Sequence, residues 1–137
     1  MLDERPTAAE LVDAVAEFLT QRLLPTLDGQ LAFHTRVAAN ALRIVHRELT
    51  CGAKVAEAEL ARLRALAGAD RVDDADLNSA LAERIRTGDL STSDESLRDH
   101  LIRSVLARMA IDNPGYPSLA EAATRWPDQA QGEAALP

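Results

Sequence analysis

Apolar residues recur at steps of three and four along almost the whole of this chain, a period that fits helices and leaves no stretch of strand-like alternation. The first run, Leu11, Val12, Val15, Phe18, Leu19 and Leu23, ends at Pro25. It begins at Thr7 and Glu10, whose spacing lets each side chain satisfy a backbone donor of the first turn. The second run, from about Gln30 to Thr50, is the most apolar. Val37, Ala38, Ala41 and Val45 fall close to one line of it, with Phe33, Ile44, Leu31, Leu42 and Leu49 alongside, so a central helix touched from several sides is predicted. Its small residues Ala38, Ala39 and Ala41 would let a neighbour approach closely.

After Cys51 and Gly52 a charged helix is predicted over 53–67, with Leu60 and Leu63 inward and Gly68 closing it. Asp73, Asp74 and Asp76 favour a further helix start, and Leu77, Leu81 and Ile85 give that helix a narrow stripe up to Gly88. Both helices read as peripheral covers. Thr92 and Glu95 again have capping-box spacing, and Leu97, Leu101, Ile102, Val105, Leu106 and Met109 give the fifth helix a strong core face before Asn113-Pro114-Gly115 stops it. Ser118 and Glu121 could cap a last short helix reaching Trp126. The expected fold is all-α: a single-domain bundle of five to six helices over residues 1–126, with the first, second and fifth helices as its core layer, and a flexible tail at 127–137.

A chain of 137 residues can bury roughly two thirds of its unfolded surface, and here aromatics are 3% against 47% apolar, so the core must be aliphatic. Cys51 is the one cysteine, which excludes an intramolecular disulfide and a cysteine-rich zinc site and suits a reducing compartment. No basic-then-apolar leader and no apolar run of roughly 20 residues is present, so a cytoplasmic location away from membranes is expected. The net charge of −7 argues against nucleic acid as a partner. Within that acidic total, residues 31–50 sum to +2 and 97–112 to +1.

Motifs for chemistry are lacking. The six glycines are scattered as turn and cap residues, so no phosphate-cradling loop exists. His34, His46 and His100 lack the spacing of helical metal ligands, and no metal or other cofactor is expected. The acids at 73, 74 and 76 read as caps, and no serine or threonine has an evident base, so no catalytic residue is assigned.

The informative residues are those that break the apolar pattern. His34 projects near the middle of the second helix's stripe, as does Glu48 at its far end, and Asn40 sits at its edge between Arg36 and Arg43 or Arg47. Such groups are either hydrogen-bonded in the core or mark an edge left open to another molecule. Asp112 returns to the core-facing side of the fifth helix and leads into Asn113, Pro114, Gly115, Tyr116 and Pro117, which is either a helix stop or a rigid display loop. Each locally basic segment carries one of these polar islands.

Three segments carry a resemblance: Arg5-Pro-Thr-Ala-Ala-Glu-Leu, Phe33-His-Thr-Arg-Val-Ala-Ala-Asn-Ala-Leu and Ala110-Ile-Asp-Asn-Pro-Gly-Tyr-Pro-Ser. In order and spacing, over residues 5–119, they resemble a bacterial family of small all-helical proteins of unknown function. Members are typically encoded beside an aminoglycoside-phosphotransferase-like kinase and an acyl-CoA dehydrogenase. The resemblance implies an accessory subunit of a kinase that phosphorylates a 4-hydroxyacyl-CoA. It carries over to Phe33, His34, Arg36, Asn40, Asp112, Asn113 and Tyr116, while Gly115 stands where the family often has a basic residue. With Arg43, these are the expected partner-binding residues, and the expected partner is that kinase. An acyl-CoA ligand held by the chain alone is the alternative, and the wide second-helix stripe could equally serve a homodimer.

Overall fold

The computed structural model describes residues 5–68 and 73–133, and its regular elements are helical, with no strand among the described residues. The leader reading at 1–4 and the last four residues of the expected tail, 134–137, lie outside the described residues. The α-helices are α1 (Ala8–Glu17), α2 (Gly29–Arg47), α3 (Ala53–Ala67), α4 (Leu77–Arg86), α5 (Glu95–Asp112), α6 (Pro117–Arg125) and α7 (Pro127–Glu133). They group into two compact units, one running to Ala53 and the other beginning at Lys54.

In the first unit the capping box forms as the spacing predicts: Glu10 N–H donates to Thr7 Oγ1 at 3.2 Å and Thr7 N–H donates to Glu10 Oε2 at 2.7 Å. A π-helical turn, Phe18–Leu23, and a 3-10 turn, Leu24–Thr26, lead out of α1. α2 returns antiparallel, so that His46 Nδ1 near its end lies 3.1 Å from the carbonyl of Ala9 at the start of α1. Small side chains are buried on these two helices: Ala16 on α1, and Ala32, Thr35 and Ala39 on α2. Thr35 satisfies its hydroxyl by donating to the Leu31 carbonyl at 2.8 Å.

That packing corrects the expected core face of α2. Val37, Val45, Leu31 and Leu49, placed in or beside the core stripe by the pattern, are 45–62% exposed. Because α2 is apolar around most of its circumference, the helical period determines that it is a helix without determining its phase. Close approach of two helices then favours the face with the smallest side chains. Gly52, expected as a helix stop, lies instead in a π-helical turn, Glu48–Gly52, that leads directly into α3. A Cβ at Gly52 would sit 2.8 Å from Glu48 Oε1, so the glycine makes room for that carboxylate.

The second unit contains the larger leucine core. Leu63 and Leu66 of α3, Leu77 and Leu81 of α4 and Leu97 of α5 form one buried cluster, with Leu60, Ala67 and Leu90 against it. Helices expected as covers therefore build a core, with Leu77 fully buried and Leu97 1% exposed. The chain reverses after α4 through Gly88, at φ +85°, where Leu90 N–H donates to the Arg84 carbonyl at 3.1 Å. Arg84 in turn donates to the Leu66 carbonyl near the end of α3. α5 is buried on two sides, through Leu97, His100, Ala107 and Ile111 on one and Leu106 and Ala110 on the other. The role of central helix, expected for α2, thus belongs in this unit to α5.

Two further differences concern helix ends. Asp94 instead of Thr92 holds the N-cap position of α5, its carboxylate accepting from Ser91 N–H at 2.6 Å in the preceding turn and not from the helix, and α6 starts at Pro117 ahead of the expected Ser118 cap because proline fits a first helical turn. Helix also continues past Trp126, where a tail was expected. α7 packs on α5 with Ala130 buried, and Gln129 Nε2 donates to Asp99 Oδ1 at 3.1 Å while Arg103 Nε donates to the same carboxylate at 2.9 Å.

Candidate docking surface

Phe33, His34, Arg36, Asn40 and Arg43 are all exposed, and their arrangement follows from the helical repeat of about 100° per residue. On α1, the acids Glu10, Asp13 and Glu17 lie about 110° to one side of the buried line through Val12 and Ala16. The exposed residues Leu11, Val15 and Phe18 lie a similar angle to the other. On α2, Arg36, Asn40 and Arg43, with Phe33 beyond them, lie on the same rotational side of their buried line as the acids do on α1. Leu31, Ala38, Ala41 and Val45 lie on the opposite rotational side, and Val37 faces away from α1 altogether. An antiparallel pair has an approximate two-fold axis normal to its plane, so equal rotational senses fall on the same side of the layer. The α1–α2 layer consequently has one charged side and one apolar side.

On the charged side Arg43 Nη1 is 3.5 Å from Asn40 Oδ1. His34 belongs to the apolar side and meets Phe33 edge-on, with ring centroids 5.5 Å apart and planes at 69°. Exposure removes the need for a buried partner that a core position would have imposed on His34 and Asn40.

Asp112, Asn113 and Tyr116 belong to the second unit. Asp112 accepts from Arg108 Nε at 3.1 Å along α5, and Tyr116 N–H donates to the Asn113 carbonyl at 3.0 Å, closing the turn that presents the half-exposed Tyr116 ring. In the same unit, Leu101, Ile102, Val105 and Leu106 of α5 with Ala122 and Trp126 line an apolar groove of about 250 Å³. Arg125 lies over the Trp126 ring at 5.0 Å. The hydrophobic pattern does not reveal this groove, because Leu101 and Val105 share the helical spacing of the buried α5 residues.

His100 was also missed, apart from its lack of ligand spacing. It is 4% exposed, and its Nδ1, like the Ser104 hydroxyl one turn on, has no hydrogen-bond partner among the described residues. The signal was available: His100 and Ser104 sit at i and i+4 on the face that also carries Leu97 and Ala107. Burial lowers the His100 pKa from its ordinary 6.5, and the Arg62 charge lowers it further, against the opposing pull of Glu59 and Asp99. For Asp99 burial acts upward, but hydrogen bonds from Arg103 and Gln129 and the charges of Arg103 and Arg62 bring it below its ordinary 3.8.

The two groups act in separate pH windows. Above pH 6.5 His100 is neutral folded and unfolded and costs nothing; as pH falls below 6.5 the unfolded chain takes the proton first, so stability is lost until the folded pKa is reached. Asp99 loses its contribution only below 3.8. Urea midpoints measured from pH 7.5 to 5 are therefore expected to fall less for His100→Leu than for the wild type. Equal slopes would show that His100 is not held neutral by burial.

A family model described as Domain of unknown function (DUF6285) matches residues 25–116. The match contains α2 through α5 and the Asn113–Tyr116 turn. No curated protein and no solved structure matches the chain.

Proposed function

The chain belongs to the DUF6285 family, and we propose that it is a non-catalytic accessory subunit that docks onto an aminoglycoside-phosphotransferase-like kinase acting on hydroxyacyl-CoA. The observation that carries this reading is the exposed flank of α2, where an aromatic ring and two arginines, Phe33, Arg36 and Arg43, stand on one side of a helix with Asn40 between them. Aromatic rings and arginines are the side chains that most often anchor protein interfaces. Asp112, Asn113 and Tyr116 form the second docking element. A kinase handling ATP and a CoA ester gathers many phosphate charges, and arginines on a docked subunit add to the neutralising field or pair with acids of the kinase. The polyanionic substrates then need no phosphate loop in this chain. Co-expression with the neighbouring kinase is expected to yield a complex, and the kinase purified alone is expected to lose turnover that the added chain restores. Full turnover by the kinase alone overturns the proposal.

The α5–α6 groove favours a second reading, a module that binds the acyl portion of an acyl-CoA without a partner. Its lining is aliphatic apart from Trp126, and a volume of about 250 Å³ suits a short acyl group. Under this reading, calorimetric titration of the chain with short acyl-CoAs gives measurable binding that Trp126→Ala abolishes. No heat in the wild type ends it.

A further inference from the structure

The geometry points to the apolar side of the α1–α2 layer as the interface between two copies of this chain. The side chains that α1 and α2 bury fully are small, Ala16, Ala32, Thr35 and Ala39, with Val12, Leu19, Leu42 and Ile44 partly buried, while Leu11, Val15 and Phe18 on α1 and Leu31, Val45 and Leu49 on α2 stay 45–62% exposed. Six of the larger side chains of this unit thus keep about half of their surface outside its own contact. Together these six residues present roughly 600 Å² per copy, about 1,200 Å² in a pair, which reaches the lower end of the range for a stable protein interface. Six half-exposed aliphatic and aromatic side chains on one side of two adjacent helices exceed the scattered apolar residues that ordinary surfaces carry.

A second copy is the occupant that fits. A two-fold axis pairs a patch with itself, so an apolar patch needs no complementary partner, and two such layers stacked face to face make a four-helix arrangement with a shared aliphatic core. Ala38 and Ala41, exposed on this side, let the two α2 helices approach one another. Phe33, Arg36, Asn40 and Arg43 remain outside the pairing, so the proposal stands independently of kinase docking.

The test uses the full chain with Cys51, which is buried and free, replaced by alanine. Sedimentation at tens of micromolar is expected to give twice the 14.8 kDa monomer mass, and Val15→Lys with Val45→Lys is expected to give the monomer with an unchanged helical circular dichroism spectrum. Both residues are exposed, so the lysines are tolerated by the monomer fold. Ala41→Cys, near the middle of α2, should oxidise to a disulfide-linked dimer, whereas Asn40→Cys on the charged side should not. A wild-type monomer at that concentration would leave the surface to another protein or another part of this chain and overturn the proposal. So would a dimer that survives both lysines, or one cross-linked through position 40 and not 41.

Discussion

Leu77→Ala is expected to lower the unfolding free energy by about 2–5 kcal/mol, whereas Val37→Ala should stay within about 0.5 kcal/mol of the wild type. Leu77 is fully buried at the start of α4, among Leu63, Leu66, Leu81 and Leu97, so truncation removes its transfer energy and leaves a cavity that three helices must collapse to fill. Val37 is 51% exposed on α2, so its methyl groups lose little when truncated. The ordering is the reverse of what the hydrophobic pattern of the sequence predicts, in which Val37 lies at the centre of the core stripe and the α4 leucines belong to a cover. Urea midpoints followed by circular dichroism decide between them. Protein concentrations low enough to keep copies apart remove any contribution of self-association. A Val37→Ala loss as large as that of Leu77→Ala would place the core on α2 after all.

The reason for that reversal also marks how far the sequence could be read. Some helix starts and stops were legible as local chemistry: the Thr7–Glu10 box, and Gly68 and Gly88 at positive φ, act within one turn of the chain, whereas the stop expected at Gly52 and the caps expected from Thr92 and Ser118 were not adopted. Which face of a helix is buried is a tertiary choice. On α2, valines and leucines compete with a line of alanines, and the alanines form the contact because they permit the shortest approach to Ala16 of α1. Hydrophobicity alone ranks the same residues in the opposite order. On α3 and α4 the leucine stripes are narrow and look weak singly, yet five leucines from three helices close one cluster that no single helix displays. Arg36, Asn40 and Arg43 were found because they interrupt a pattern, and the structure has them exposed. The groove at Trp126 was not found, because its α5 wall shares the period of the residues that face inward.

If the chain docks onto a kinase as proposed, Phe33 and Arg36 are expected to matter most, with Phe33→Ala or Arg36→Ala each weakening that complex by about 2 kcal/mol, roughly 30-fold in Kd. Phe33 is 59% exposed and meets His34 edge-on, so most of its ring is available to fill a pocket on another protein, and its removal should not lower the stability of the isolated chain by more than about 0.5 kcal/mol. That separation is what distinguishes a docking residue from a structural one. Arg36→Lys sharpens the chemistry further. Lysine keeps the charge but lacks the planar fork, so a loss with Arg36→Lys close to that with Arg36→Ala identifies a bidentate carboxylate or phosphate, whereas full retention identifies a general electrostatic contribution. Arg43 shares its guanidinium with Asn40 at the edge of the flank, and Arg43→Ala should act mainly on the association rate and lose its effect as salt is raised. Surface plasmon resonance of the kinase over the immobilised chain reads the affinities and rates, and urea unfolding of the isolated chain reads its stability. If Phe33→Ala and Arg36→Ala bind as the wild type does, α2 is not the docking flank, and the Asp112–Tyr116 turn becomes the element to vary.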